Sequence, residues 1–238
     1  MSSDIVPWGS EYKFSDLPDW KNIKMKFEKA GNFAKENNVR LSFHPGQFCC
    51  LGSSKEKVVL NAISDLDLHG RIMDALVQPR SRLAKINIHL GGAYGDKESA
   101  VKRFITNYHR LPETVKTRLT LENDDRLSLY TTRELYDMVY LKTGIPIVFD
   151  FHHHMIHPGG DSEYDALKLA CSTWEVKPCT HYSESAQLER SEKTPLRAHS
   201  KLIYSKINDH GFDIDCVVEA KGKESAIFHH RELYGMEK

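Results

Sequence analysis

The sequence predicts an α/β fold, a TIM-type β/α barrel of about seven parallel strands in which the first strand of the barrel is missing. Short apolar runs of the kind found in strands alternate with longer amphipathic stretches, and this alternation is typical of repeated βα units around a parallel sheet. The chain has 238 residues, with no repeat, low-complexity segment or linker that would divide it. This length suits one barrel, so we predict a single domain over residues 1–238.

The predicted strands are short runs rich in apolar residues. In chain order they are Ser3–Val6, Val39–His44, Ala84–His89, Arg118–Glu122, Pro146–Asp150, Pro178–His181 and Ile214–Glu219. Crossover helices are predicted between them. Ile23–Asn37 places apolar residues on one face, and Thr131–Thr143 is followed by Gly144, the residue type that most often ends a helix.

The charge and the cysteine content narrow the functional classes. Lysine plus arginine and aspartate plus glutamate number 33 each, so the basic excess of many nucleic-acid-binding proteins is absent. The five cysteines form no CxxC pair and are odd in number, which argues against a zinc knuckle and a disulfide framework and predicts reduced thiols. The 13 histidines are the compositional outlier, and neutral imidazole is a common ligand of transition metals.

The sequence gives no sign of a membrane association. No run approaches the roughly 18 apolar residues of a membrane span. The segment Met1–Asp4 lacks the basic and apolar parts of a secretory signal. We therefore expect an intracellular protein of the cytoplasm or nucleoid, without a membrane partner.

The most informative pattern is the position of polar residues at the ends of the predicted strands. In a β/α barrel, residues at the C-terminal ends of several strands assemble the active site. A single strand-end histidine or glutamate is more often a hydrogen-bonded rim residue than a ligand. Six such groups on six strands weaken that interpretation and predict one metal-binding cavity. They are His44, His89, Glu122, Asp150, His181 and Glu219.

Two further histidines follow these strands closely. His153 comes three residues after Asp150, so both can turn toward one ion from the corner between strand and loop. The tract His152–His154 can also be a solvated loop, and at least one of its histidines is not expected to be a ligand. His199 follows the sixth strand, where a ligand and an ordinary surface histidine are equally good interpretations.

Four motifs, in order along the chain, resemble one known family. They are Leu41–Phe48 (LSFHPGQF), His89–Gly95 (HLGGAYG), Leu121–Asp125 (LENDD) and Val218–Glu224 (VEAKGKE). The sequence thereby resembles the ultraviolet damage endonucleases, relatives of endonuclease IV in the xylose-isomerase-like barrel superfamily. The resemblance implies a DNA-repair enzyme that nicks damaged double-stranded DNA on the 5′ side of pyrimidine dimers and 6-4 photoproducts.

The resemblance also implies a cluster of two or three divalent metal ions, typically manganese, with zinc or magnesium as alternatives. The family's metal-binding positions correspond here to His44, His89, Glu122, Asp150, His153, His181, His199 and Glu219. Among these, Glu122, Glu219 and His181 are expected to be catalytic, because phosphodiester hydrolysis needs ions that activate water and neutralise phosphoryl charge. No obligate protein partner is expected.

The family probes the lesion with a glutamine and an aromatic ring after the HPG motif, here Gln47 and Phe48. Such a pair can fill the gap left by unstacked bases, whereas without the motif Phe48 would be taken for a core residue. Lys221 and Lys223 are candidates for phosphate contacts, with solvated surface lysines as the equal alternative. Lys102–Arg103 lies in a helical stretch, where a solvated face is the better interpretation, and it is assigned no role.

The sequence departs from the family in three places. The first barrel strand is missing, Glu11 stands where relatives commonly have a histidine ligand, and Cys179 stands where many have a lysine. Two other functions therefore stay open. One is a sugar isomerase or epimerase on the same barrel, which gathers similar ligands, and the other is an inactive protein that only binds lesions. The pair Gln47–Phe48 favours the endonuclease.

Overall fold

The computed structural model of the chain describes residues 1–46 and 48–235. The described residues form five strands, β1 (Ile86–Ile88), β2 (Leu119–Glu122), β3 (Ile147–Val148), β4 (Cys179–Tyr182) and β5 (Asp215–Val218). The α-helices are α1 (Trp20–Glu36), α2 (Glu56–Ala75), α3 (Lys97–Tyr108), α4 (Glu113–Lys116), α5 (Thr132–Leu135), α6 (Leu141–Thr143), α7 (Phe151–Ile156), α8 (Glu163–Cys171) and α9 (Glu224–Tyr234). None of the described helices is long and apolar enough to span a bilayer.

The chain forms two compact units. The first comprises Met1–Leu121 and Lys142–Pro146, and the second comprises Glu122–Leu141 and Ile147–Lys238. Strand β2 therefore begins in the first unit, and its last residue, Glu122, belongs to the second. The single-domain organisation of residues 1–238 stays a prediction.

In the first unit, β1 and the start of β2 run parallel, with Ile86 opposite Leu119 and Ile88 opposite Leu121. Phe43 extends this arrangement on the other side of β1, since it forms a parallel bridge with Ile86. Helix α2 packs on β1 because its buried residues recur at helical spacing. These residues are Val59, Ala62, Leu66, His69, Ile72 and Met73.

In the second unit, β4 and β5 run parallel, with Cys179 opposite Asp215 and Tyr182 opposite Val218. Asp150 forms a parallel bridge with His181, so the segment after β3 continues the arrangement on the other side of β4. A small apolar cluster of Ile203, Ala220 and Ala226, with partly buried neighbours around it, supports β4 and β5.

Five of the seven predicted strands are confirmed; four are shorter than predicted, and β4 has the predicted length but begins and ends one residue later. The prediction for Ser3–Val6 is wrong, because Ser3–Ile5 is a 3-10 helix that begins where the Ser2 hydroxyl accepts the Asp4 N–H at 3.2 Å. The prediction for Val39–His44 is wrong as a strand, since only Phe43 makes a bridge. Apolar β-type residues form a strand only where a partner pairs with them. The missing first barrel strand stays a prediction.

The two predicted helices are confirmed in outline. The predicted Ile23–Asn37 is the helix α1, which begins at Trp20. The predicted Thr131–Thr143 is helical from Thr132 to Thr143, with a π-helical turn at Tyr136–Tyr140 between α5 and α6. Gly144, directly after α6, has a φ of 67°, a conformation that glycine adopts without steric cost.

Candidate metal centre

In the second unit, parallel stretches bring polar residues together at their C-terminal ends. The His181 N–H donates to the carbonyl of Phe149 at 2.9 Å, and the Glu219 N–H donates to the carbonyl of Tyr182 at 2.8 Å. Asp150, His181 and Glu219 therefore lie on adjacent stretches that end at the same edge. The β/α topology places catalytic residues at this edge.

Asn123 fixes the position of Asp150 through both polar groups of its side chain. The Asp150 N–H donates to Asn123 Oδ1 at 2.8 Å, and Asn123 Nδ2 donates to the Asp150 carbonyl at 3.1 Å. Both residues are buried. The amide thus provides the donor and the acceptor that a neighbouring strand would otherwise supply.

One ring nitrogen of His181 contacts two carboxylates. Its Nδ1 is 3.0 Å from Glu122 Oε2 and 2.9 Å from Glu219 Oε1, and both His181 and Glu122 are fully buried. Donor atoms that bind one divalent ion at about 2.1 Å and at right angles lie about 3.0 Å apart. The observed distances therefore suit adjacent ligands around one ion.

His153 joins this group from the first turn of α7. Its backbone N–H donates to Asp150 Oδ1 at 2.7 Å, which makes Asp150 the N-cap of the helix. The His153 Nδ1 lies 2.9 Å from the Asn123 carbonyl and 3.3 Å from Glu122 Oε1. Ligand-capable atoms of Glu122, Asp150 and His153 lie within 4.8 Å of one another, close enough to hold one ion.

His199 enters the same region from the loop after β4. Its Nδ1 lies 2.7 Å from the carbonyl of Glu219, and its ring centroid is 6.5 Å from that of His153. Histidines that bind a metal through one ring nitrogen commonly donate the other N–H to a carbonyl or a carboxylate. In His199 and in His153, the contact of Nδ1 with a backbone carbonyl leaves Nε2 as the nitrogen suited to an ion.

The electrostatics of the group are dominated by burial and by its carboxylates. Burial raises the pKa of Asp150 to about 6, although the charge of His153 opposes this rise. Burial alone would lower the pKa of His153, but the hydrogen bond to Glu122 and the charges of Asp150 and Glu122 outweigh it and raise this pKa to about 10. Without an ion, a protonated imidazole therefore balances the carboxylates.

The residues of this group fit a divalent metal. Asp150 Oδ2 is buried and has no hydrogen-bond partner among the described residues, although a buried carboxylate oxygen normally has one. Imidazole nitrogens and carboxylate oxygens, without a thiolate motif, are the ligands that manganese and zinc accept in catalytic sites. A cation against this oxygen would remove the cost of its burial.

In the first unit, the structure brings His44 and His89 together. Their ring centroids lie 5.5 Å apart at an angle of 42°. This proximity follows from the pairing of Phe43 with Ile86, which places the ends of two parallel stretches side by side. The predicted convergence of these two histidines with the ligands of the second unit stays a prediction.

The predicted DNA-contacting residues fall in exposed loops where the structure describes them. Phe48 is 85% exposed, so its alternative interpretation as a core residue is wrong. Lys221 and Lys223 are exposed in the turn before α9, and Gln47 lies outside the described residues. Exposed rings and ammonium groups are the side chains that stack on bases and contact phosphates.

Sequence reasoning missed the contacts of two residues, Asn123 and Arg103. Asn123 belongs to the LENDD motif, but its pairing with Asp150, 27 residues away, has no local signal. The interpretation of Arg103 as a solvated residue is wrong, because its guanidinium donates to the carbonyls of Gly52 and Gly92 at 2.8 Å each.

The two departures from the family pattern differ in their surroundings. Glu11 is exposed in the first unit. Cys179 is buried on β4, two residues before His181 and thus on the same face of the strand.

The comparisons with known proteins indicate one family. The family UV-endonuclease UvdE matches residues 1–238. A UV DNA damage endonuclease of Bacillus cereus (strain G9842) is 38% identical over 247 residues, which cover 96% of this chain and 72% of that protein. The crystal structure of SacUVDE has a TM-score of 0.84 at 31% identity and covers 98% of this chain and 78% of the other.

A more distant structure shares the fold. The D-psicose 3-epimerase of Clostridium cellulolyticum H10 has a TM-score of 0.56 at 18% identity and covers 82% of this chain and 69% of the other. At this identity the likeness shows the fold alone, and it confirms that the α/β chain has TIM-barrel-like neighbours. Because the family match spans the whole chain and a relative reaches 38% identity, the chain belongs to the UV-endonuclease UvdE family.

Proposed function

We propose that this chain uses divalent metal ions to hydrolyse the backbone of damaged double-stranded DNA on the 5′ side of pyrimidine dimers and 6-4 photoproducts. Its family supports the activity class, a DNA-repair endonuclease for UV damage. One observation carries the metal dependence, the buried group of Glu122, Asp150 and His153 with the unsatisfied oxygen of Asp150.

The proposed ligand set is larger than this group. His181, His199 and Glu219 join it through their contacts in the second unit. The inclusion of His44 and His89 rests on the strand-end pattern of the sequence. We propose two or three ions, with manganese as the preferred metal, because mixed imidazole and carboxylate ligands suit manganese better than magnesium.

The ions would supply an activated water, charge neutralisation at the phosphoryl oxygens and stabilisation of the leaving oxygen. The chain's own residues prepare for that chemistry. Glu122 and Glu219 each place a carboxylate oxygen against Nδ1 of His181, and Asn123 keeps Asp150 in place. These fixed contacts lower the reorganisation that the site needs when DNA binds.

Recognition of the lesion is proposed for the exposed loops. Phe48, with its ring in solvent, and its neighbour Gln47 would insert where damaged bases are already weakly stacked. Lys221 and Lys223 would contact phosphates, so affinity should fall with rising salt. A DNA substrate would place the enzyme at the nucleoid. The lack of an obligate protein partner stays a prediction.

The proposal predicts metal-dependent nicking of irradiated DNA. Purified protein with Mn²⁺ should convert UV-irradiated supercoiled plasmid to the nicked form and spare unirradiated plasmid. Stripping the metal with EDTA should abolish the reaction, because the buried carboxylates cannot activate water without an ion, and added Mn²⁺ should restore it. A labelled duplex with one defined photoproduct should be cut on the 5′ side of the lesion.

Each of the other outcomes would support a different function or refute the metal dependence. Binding of the damaged duplex without nicking under Mn²⁺, Zn²⁺ and Mg²⁺ would show an inactive lesion-binding protein. Equal absence of nicking on both plasmids, together with turnover of a ketose, would show a sugar epimerase. Nicking that persists in EDTA would refute the metal dependence.

Metal binding should also release a proton. His153 has a pKa of about 10 without an ion, so at pH 7 it carries a proton that a metal must displace. We expect about one proton to be released per ion bound at this group, since ligands must be deprotonated. Calorimetric titration with Mn²⁺ at pH 7, in two buffers of different ionisation enthalpy, measures this number.

The sign of the pH dependence follows from the same residues. Below about pH 6 Asp150 is also protonated, so the Mn²⁺ affinity should fall as the pH decreases through this value. His153→Gln should release fewer protons than the native chain. Equal proton release by the two proteins would remove His153 from the ligand set.

A further inference from the structure

Two exposed aromatic loops of the first unit are joined by one arginine. Phe48 lies in the loop after His44 and is 85% exposed, and Tyr94 lies in the loop after His89 and is 69% exposed. The two loops leave neighbouring parallel stretches at the same edge, because Phe43 pairs with Ile86. Each loop therefore follows a proposed ligand and presents a ring to solvent.

Arg103 of α3 joins the two loops through hydrogen bonds to both backbones. Its Nε donates to the Gly52 carbonyl at 2.8 Å in the first loop, and its Nη2 donates to the Gly92 carbonyl at 2.8 Å in the second. The planar guanidinium holds both acceptors in fixed directions, which a lysine ammonium cannot do. One side chain thus sets the distance between the two loop backbones.

The loops also approach each other closely. Gly92 has a φ of 69°, and a Cβ at this position would lie 2.4 Å from the Gly52 carbonyl oxygen, so only glycine fits. The first loop is further anchored by Asn107, whose Nδ2 donates to the carbonyl of the buried Leu51 at 2.8 Å. The two loop backbones are therefore held at Leu51, Gly52 and Gly92, close to both rings in the sequence.

Tyr94 has an unfavourable backbone conformation, although its side chain is exposed to solvent. It has a φ of 46°, which is uncommon for a residue other than glycine and costs free energy. Its hydroxyl lies 3.4 Å from the Ser53 hydroxyl of the first loop, so the ring is tied at one end while its faces stay in solvent. An exposed aromatic residue in a strained conformation points to a role in binding.

We propose that Tyr94 is a second aromatic contact to the DNA, and that Arg103 is the positioning residue that fixes it relative to Phe48. The inference rests on the proposed endonuclease function and adds a residue to it. Two rings on one edge would stack on two bases or on a base and a sugar of the opened duplex, which a single wedge cannot do. Tyr94 supplies the stacking face, and Arg103 supplies its place.

The test uses steady-state nicking of a duplex with one defined photoproduct. Tyr94→Ala should raise KM roughly 5- to 100-fold, the effect of losing one stacked base, and should change kcat less than about twofold. Tyr94→Phe keeps the ring and should stay within about twofold of the native KM. Phe33→Ala is the matched control, because Phe33 is an aromatic residue of the same unit, 64% exposed on α1.

A double-mutant cycle tests the positioning role. Arg103→Lys should raise KM by about as much as Tyr94→Ala, and the double variant should show no further increase, because both changes remove the same contact. Additive losses would show that Arg103 acts on its own and would overturn the positioning role. A thermal unfolding scan of each variant separates these effects from a loss of folded protein.

The outcomes distinguish this inference from the proposed function. If the native chain does not nick irradiated DNA, the proposed function fails. If the native chain nicks it and Tyr94→Ala has the KM of Phe33→Ala, the function stands and the role of Tyr94 is overturned. If Arg103→Lys does not fold, the comparison of Tyr94→Ala with Tyr94→Phe still decides whether the ring binds DNA.

Discussion

Glu122→Gln should lower kcat/KM for nicking irradiated DNA by about 1,000-fold, which corresponds to about 4 kcal/mol of transition-state stabilisation. Glu122 is fully buried at the end of β2, with its carboxylate 3.0 Å from His181 Nδ1 and 3.3 Å from His153 Nδ1. The amide keeps the volume of the side chain and removes the charge that an ion and two imidazoles require. The loss is therefore expected in metal binding as well as in turnover.

The measurement combines nicking kinetics with the metal content of the purified variant. Glu232→Gln is the control, because Glu232 is an exposed carboxylate on α9, outside the group. The variant should also titrate differently, since the hydrogen bond to Glu122 is the largest contribution that raises the pKa of His153. Full metal content with a loss below tenfold would contradict the role assigned to Glu122.

Arg118→Met should lower the free energy of unfolding by about 3 to 5 kcal/mol, because several backbone carbonyls lose the donor that its buried guanidinium provides. Arg118 is fully buried, and its Nη1 lies 2.8 Å from Asp74 Oδ1. Burial lowers the pKa of this guanidinium, and Asp74 partly offsets the effect. The guanidinium also donates to the backbone carbonyls of Gly70, Gln78, Pro79 and Thr114.

The stability loss comes from the acceptors that remain after the change. Methionine fills much of the volume but leaves buried carbonyls without a donor, and each of these costs free energy. Urea denaturation measures the effect, and an m-value equal to that of the native chain would show that the variant differs in stability alone. Arg80→Met is the matched control, because Arg80 binds the same carboxylate at 2.6 Å from an exposed position, and its effect should be much smaller. Equal effects of the two changes would contradict the role of burial.

The ligand types of the candidate site were predictable from the sequence because they follow apolar runs directly. Glu122 ends β2, His181 lies in β4, and Glu219 follows β5 at once. In a β/α barrel, a buried parallel strand is apolar and its C-terminal end carries polar residues of the site. A polar residue directly after an apolar run therefore marks that end in the sequence. For the five confirmed strands, the predicted ends and the predicted beginnings both lie within two residues of the observed ones.

The contacts that hold the ligands were not predictable, since they depend on residues distant in the sequence. Ser3–Val6 and Val39–His44 contain strand-type residues, yet pairing decided their structure. In the sequence, Arg103 cannot be distinguished from other surface arginines of a helix. Only the structure shows that it donates to the carbonyls of two loops. Periodicity records which face of an element is apolar, and it carries no information on which distant carbonyl a side chain reaches.

The amide of Asn123 has a consequence for transplanting this chemistry. Since β3 is only two residues long, Asp150 lies beyond its end, where the side chain of Asn123 and the bridge to His181 hold its backbone in place. A designer who transfers these residues to another scaffold would need to transfer Asn123 together with Asp150, although 27 residues separate them in the sequence.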